Sequence, residues 1–192
     1  MDPGRSPERV YTIEERATLL DLARSSIEAG LQGGRLEVIL LDHAPALREH
    51  RASFVTLQRG GRLRGCIGTL AARRALVVEV AEMAQAAAFR DPRFAPLSHA
   101  EFADLEYHIS VLGVPEPLPV TGEDDLLAQL RPGIDGLMLR EGELGSTFLP
   151  SVWEQLPDPR EFLRRLKIKA GLGADHWSAQ IVVSRYTAES IP

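Results

Sequence analysis

The stretch Leu63-Arg64-Gly65-Cys66-Ile67-Gly68-Thr69 holds the only cysteine of the 192-residue chain. In an extended strand alternate side chains share a face. Leu63, Gly65 and Ile67 then point one way, and Arg64, Cys66 and Gly68 the other. Residues two apart on one face lie roughly 6.5–7 Å from each other, within reach of an arginine side chain. A guanidinium beside a thiol favours the thiolate, which is the form that attacks electrophiles and holds ligands. The spacing therefore points to Cys66 as a reactive or ligand-holding thiol, with Arg64 lowering its pKa. Gly65 and Gly68 would let another molecule approach the backbone, or would mark a bulge. The opposed reading is a core cysteine with glycines that relieve crowding, since free cysteine is among the most buried residue types.

Other residues could join this chemistry. Glu106 and His108 fall on one face of an alternating segment and offer acid–base help if that segment lies beside the cysteine strand. Arg62, Arg90 and Arg93 are candidates to hold an anionic substrate, with Thr69 at the end of the cysteine stretch. For Arg90 and Arg93 a second account exists: cations at a helix C-terminus complement the helix dipole.

The elements that would carry these residues can be read in order. Residues 1–11 read as a flexible tail. Thr12-Ile13-Glu14-Glu15 matches a capping box, and a packing helix follows to about Ala29, with Gly30 placed to end it. Leu36 to Leu41 is apolar and β-branched enough for a short strand. Phe54–Gln58 and Leu63–Leu70 predict a hairpin around Arg59-Gly60-Gly61-Arg62. Leu76, Val80, Met83 and Ala87 give a helix from Leu76 to about Arg90, stopped by Pro92. Asp104 to Leu112 alternates as a strand, with Leu105, Tyr107, Ile109 and Val111 facing the core. Val114 to Pro119 is extended and too proline-rich for a central strand.

The second half repeats the first. A short helix is expected over Glu123–Leu130. Ile134–Arg140 and Leu144–Leu149 form a hairpin, Asp158-Pro159 opens a helix, and Ser178–Thr187 gives a last strand. The offset of about eighty residues reads as a diverged duplication. Near the place of Arg64-Gly65-Cys66 the second hairpin carries Gly145-Ser146-Thr147. The expected fold is α+β, with two lobes built on a duplicated strand-turn-strand-helix-strand unit, mainly antiparallel sheet and an N-terminal packing helix. The first lobe is expected over residues 12–115 and the second over 116–192, with the site in a cleft between them.

Composition bounds the function. A formal net charge of −5 and 6% aromatics disfavour nucleic acid as a partner. One cysteine excludes an internal disulfide framework, an iron–sulfur cluster and a Cys-rich zinc site, and fits a reducing cytoplasm. No run approaches the ~18 apolar residues of a membrane span. There is no Ser-His-Asp ordering, phosphate-cradling loop or His-x-x-x-His pair, and no motif calls for a metal or cofactor.

Several stretches together resemble the AMMECR family, whose bacterial and archaeal members are called AmmeMemoRadiSam system protein A. They are Leu63–Gly68, Ala88-Phe89-Arg90-Asp91-Pro92-Arg93-Phe94, Asp104-Leu105-Glu106 with Ile109–Leu112, Gly133–Leu137, and Thr147-Phe148-Leu149-Pro150-Ser151-Val152-Trp153 through Pro157. The resemblance runs from about Leu19 to the C-terminus. It implies a single AMMECR-type domain of two lobes with Arg64–Gly68 at the cleft between them. It also implies association with a Memo-like protein and a radical-SAM protein. It supplies no reaction. His108 stands where the resemblance leads one to expect an acidic residue, so no catalytic role is carried onto it.

Two functions remain open. In the first, the chain is an enzyme component of a radical-SAM/Memo-associated modification pathway. Cys66 is then the activated thiol, Arg64 and Glu106 assist it, and Gly65, Gly68, Thr69, Arg90 and Arg93 contact the substrate. In the second, it is a non-enzymatic adaptor or carrier that holds a small molecule or peptide for its partner proteins.

Overall fold

The computed structural model describes residues 11–192. The tail expected at the N-terminus lies outside the described residues except for Tyr11, which is buried at 4% exposure in the first core. Helix α1 spans Ile13–Leu31 and begins on the expected capping box. The Glu15 N–H donates to Thr12 Oγ1 at 3.2 Å, and the Thr12 N–H donates to Glu15 Oε2 at 2.8 Å. Both atoms would otherwise be unpaired at a helix start.

Strands β1 (Ser53–Arg59) and β2 (Arg62–Gly68) form the first hairpin. Gly60 and Gly61 take φ of 56° and 70° at its turn, a left-handed pair that matches strand twist and suits glycine. Helix α2 covers Leu76–Phe89, the one-turn α3 His99–Phe102, and β3 Leu105–Leu112. Next come β4 (Glu116–Pro117), α4 (Glu123–Gln129), β5 (Gly136–Glu141), β6 (Leu144–Phe148), α5 (Pro159–Lys169), β7 (Val182–Tyr186) and β8 (Ala188–Ile191). No helix among the described residues is long and apolar enough to cross a membrane.

The described residues form two four-stranded sheets, ordered β2-β1-β3-β8 and β6-β5-β7-β4. The fold is α+β, and the matching orders express the duplication: the outer hairpin strand, its inner partner, and then the strand after the helix. The chain divides into one compact unit ending at Leu112 that takes back Glu189–Pro192, and a second unit, Gly113–Ala188. The first sheet is thus completed by a strand from the C-terminal end of the chain. The strand after β3 pairs with β7, and the strand after β7 joins β3. Residues 188–191, expected in the second lobe, join the first sheet.

In the first unit the inward side chains of β1 and β3, Val55, Leu57, Ile109 and Val111, pack with Leu76, Val80, Ala84 and Ala87 of α2 and Leu19 and Ile27 of α1. In the second unit Leu137, Leu139 and Val183 pack with Phe162, Leu163 and Leu166. Trp153 stacks on Phe162 with ring centroids 3.8 Å apart, and its Nε1 donates to the Asp135 carbonyl at 2.7 Å.

Two expected elements differ. Leu36–Leu41 forms no strand, and Leu40–Asp42 is a 3₁₀ turn with Leu41 82% exposed. An apolar run becomes a strand only where a sheet edge accepts its backbone, and neither sheet includes this run. The strand expected over Ser178–Thr187 is shorter, and a separate strand, β8, follows it. The proline-rich Val114–Pro119 places only Glu116–Pro117 in a sheet, at an edge, where a missing N–H is tolerated.

Candidate functional site

Strand β2 is the edge of the first sheet, and Cys66 sits in its middle. Cys66 lies opposite Thr56 of β1, and Thr56 lies opposite His108 of β3. Directly opposed residues point to the same face, so Cys66, Thr56 and His108 form one row across three strands. With strands 4.7–4.9 Å apart, the ends of this row are separated by about 9.5 Å. All three residues are half-buried. The Thr56 hydroxyl donates to Cys66 Sγ at 3.3 Å. Cys66 is therefore neither a core residue nor fully exposed, and its sulfur accepts a hydrogen bond.

The backbone of Cys66 points outward from the sheet, and the loop after α2 meets it. Asp91 Oδ2 accepts the Cys66 N–H at 2.9 Å, and Arg93 donates to the Cys66 carbonyl at 3.2 Å. These two side chains occupy the bonding sites that another strand would use, which closes a sheet edge. Asp91 also accepts from the Arg93 backbone at 3.1 Å and from its guanidinium at 2.9 and 2.7 Å. The Arg93 guanidinium bonds and the two backbone donors hold the Asp91 carboxyl far below the usual carboxylate range, against the opposing effect of burial. The Arg93 pKa is raised, chiefly by Asp91 and in part by Cys66, while desolvation opposes.

Arg64 occupies a different place from the one its spacing suggested. The pairing of β1 with β2 slips between Leu57 and Gln58: Gly65 faces Leu57 and Leu63 faces Gln58, so Arg64 is the extra residue of a β-bulge. Its guanidinium turns to Glu101, with Nε 2.7 Å from Oε1 and Nη2 3.2 Å from Oε2, and Nη2 also donates to the Ala95 carbonyl at 3.0 Å. Nη1 is buried without a hydrogen-bond partner. None of its nitrogens bonds the sulfur. Glu101 is held down to about 2 by Arg64 and by the Ser98 backbone and hydroxyl. Phe94 lies beside both guanidiniums, 5.8 Å from Arg64 and 5.5 Å from Arg93.

The glycines have packing partners. A Cβ on Gly65 would stand 2.2 Å from the Ala87 carbonyl oxygen, so β2 and α2 touch backbone to backbone. A Cβ on Gly68 would stand 2.3 Å from the Phe54 ring, which covers that position. Thr69 donates to the buried Glu79 at 2.7 Å. Glu106 is exposed, and one of its oxygens accepts from the Gly61 N–H at 3.4 Å at the hairpin turn. It lies opposite Gln58, one same-face step from the Cys66 row. Arg90 is directed to Glu82, 3.8 Å away, and Arg62 is exposed at the turn. The structure thus brings Cys66 and Arg93 together and adds Thr56, His108 and Asp91. Arg64, Glu106, Thr69 and Arg90 take other partners.

Thr56, Asp91, Glu101 and Phe94 went unassigned in the sequence. A signal existed for Asp91: it follows a helix whose end is fixed by Pro92, and it lies two residues before an arginine. Thr56 carried none, because register is invisible before the hairpin closes.

The second sheet shows the same frame without the thiol. Thr147 lies opposite Met138, which lies opposite Ser184, so Thr147 takes the place of Cys66. Ser146 takes the place of Gly65 and donates to the Leu166 carbonyl at 2.7 Å. Lys169 donates to the Thr147 carbonyl at 2.9 Å, as Arg93 does to Cys66. No register shift interrupts β5 and β6, so the bulge at Arg64 belongs to the first hairpin alone.

The AMMECR1 family model matches residues 20–191. The chain belongs to the AMMECR1 family. A protein from Methanothermobacter thermautotrophicus is 36% identical over 178 residues, covering 92% of this chain and 93% of its own. Protein MJ0810 of Methanocaldococcus jannaschii is 32% identical, covering 94% and 91%. The crystal structure of uncharacterized protein PH0010 from Pyrococcus horikoshii superposes with a TM-score of 0.86 at 34% identity, covering 94% of this chain and 92% of that one. AMMECR1 membership therefore accounts for nearly the whole chain, and none of these names states an activity.

Proposed function

We propose that this AMMECR1 protein is a component of a modification pathway with a Memo-like and a radical-SAM partner, and that Cys66 is its reacting group. The observation that carries this reading is the polar setting of the sulfur. A hydroxyl donates to it at 3.3 Å on a half-buried sheet face, and the Arg93 guanidinium is fixed beside the same residue. A hydrogen bond donated to the sulfur and a cation fixed beside the same residue suit a thiol that reacts or holds a ligand. Asp91 fixes Arg93 through paired short bonds, so the cation is in position before any substrate arrives. His108, at the far end of the row, is placed to exchange a proton with a molecule lying over Thr56. The cation assigned to the thiol is thus Arg93 in place of Arg64.

A second reading, a non-enzymatic adaptor or carrier for the same partners, is favoured by the glycines. Gly65 and Gly68 meet Ala87 and Phe54, so packing alone accounts for them.

The rate of Cys66 alkylation by iodoacetamide in the folded protein, compared with glutathione at the same neutral pH, separates the two. The thiol reading expects faster reaction than glutathione, slowed in Thr56→Val and Arg93→Gln. A rate no faster than glutathione, together with full complementation of a deletion by Cys66→Ser, would leave the adaptor.

A further inference from the structure

Away from the cysteine row, the first unit holds a cavity of about 120 Å³ between α2 and the segment that follows α1. Leu36, Val38, Val78 and Ala81 form its apolar wall, and Arg35, Glu82 and Gln85 its polar side. Residues 34–39 form neither helix nor strand, and Gln85 ties them to α2 by donating to the Gly34 carbonyl at 3.2 Å. Glu37, between the two inward apolar residues, is exposed.

Three guanidiniums surround Glu82 here without bonding it. Arg35 stands 3.9 Å from one oxygen, and Arg74 and Arg90 stand 3.9 and 3.8 Å from the other. By contrast, Arg64 closes on Glu101 at 2.7 Å and Arg131 on Asp135 at 2.6 Å. Arg35, Arg74 and Arg90 donate no hydrogen bond to a described side chain or carbonyl, and their side chains are 69%, 45% and 48% exposed. Their donor sets are therefore open to a ligand. Arg74 also lies 3.6 Å from the buried Glu79. Three guanidiniums against the two carboxylates Glu79 and Glu82 leave one positive charge.

We infer that this cavity is a binding site for a small carboxylate with a short hydrocarbon body, held by Arg35 with Arg90 behind it. One surplus positive charge balances a monoanion, and a dianionic phosphate would be repelled by Glu82 and Glu79. The four apolar residues accept the hydrocarbon. A cavity of about 120 Å³ suits a hydrocarbon body of a few carbons. The carboxylate is that of a free acid or of a peptide C-terminus ending in an aliphatic residue. The site shares no residue with the Cys66 row and stands or falls separately from the reading above.

The test is an NMR titration of the isotope-labelled full chain with 4-methylpentanoate, its neutral amide, inorganic phosphate and an acetylated peptide ending in leucine carboxylate. The acid is expected to give saturable shifts at residues 35–38 and 78–85, and the amide to bind about tenfold more weakly or worse, because a charge-assisted bond is lost. Arg35→Gln and Arg90→Gln, both surface changes that keep the fold, are expected to weaken the acid, and Cys66→Ser to leave it unchanged. A peptide that binds more tightly than the free acid identifies a chain terminus as the source, and the reverse order identifies a metabolite. Absence of saturable shifts, an amide equal to the acid, phosphate binding as tightly as the acid, or an Arg35→Gln protein that binds like the parent overturns the proposal.

Discussion

Asp91 Oδ2 accepts the backbone N–H of Cys66 at 2.9 Å. The same oxygen accepts from Arg93 at 2.7 Å, and Arg93 returns to the Cys66 carbonyl. One buried carboxylate therefore both closes the sheet edge and fixes the cation against the Cys66 backbone.

Asp91→Ala removes the acceptor for four bonds and leaves the Cys66 N–H unpaired. The Asp91 side chain is 2% exposed and that of Arg93 52%, so the freed guanidinium can rehydrate and the cost falls below that of a fully buried pair. A loss of roughly 2–4 kcal/mol is expected in urea unfolding. Asp91→Asn, which keeps one acceptor oxygen, is expected to lose less.

Acid stability follows from Glu101 and Asp91. Both folded carboxyls titrate below their unfolded values, so the unfolded chain binds more protons as pH falls. Their contribution is full above about pH 4.5 and drains as pH drops, for Glu101 through about pH 2. Unfolding midpoints measured between neutral pH and this range are expected to fall on acidification. Glu101→Gln is expected to flatten that fall, since the group that takes up the proton is gone.

The backbone contact at Gly65 predicts asymmetry between the repeats. Gly65→Ala drives a Cβ to 2.2 Å from the Ala87 oxygen, and β2 must lift from α2. The expected cost is about 3 kcal/mol. Ser146→Ala, at the matching place in the second hairpin, loses only the bond to the Leu166 carbonyl, about 1 kcal/mol. Paired chemical unfolding of the two variants checks the difference.

The two arginines near the cysteine separate by kinetics. Arg93→Gln is expected to slow Cys66 alkylation by up to about tenfold, the loss of a nearby cation in a partly hydrated setting. Arg64→Gln, whose parent side chain bonds Glu101, is expected to lower the thermal midpoint while leaving the alkylation rate near that of the parent.

Much of the fold was written locally. The Thr12 capping box, the Gly60-Gly61 turn, the α2 stripe and the Pro159 helix start each depend on a few neighbouring residues, and each formed where the pattern placed it. The duplicated hairpin-helix-strand order was legible for the same reason. Leu36–Leu41 misled because an apolar run carries no information about whether a sheet edge is available. Thr187 and the return of β8 to the first sheet were equally hidden, since strand partnership is a long-range choice.

The candidate site divides along the same line. Residue types and spacing singled out Cys66 as the one thiol and brought Arg93 into view. The one-residue bulge at Arg64 goes with that guanidinium turning to Glu101 and leaves Arg93 beside Cys66, and such a slip arises only when β2 is laid against β1. Residue types and spacing alone named Cys66 and Arg93 as candidates and passed over Thr56 and Asp91. The pairing of three strands and the fold-back of the Asp91 loop onto β2 decided which of them became neighbours, because register and edge capping are set by contacts between segments far apart in sequence.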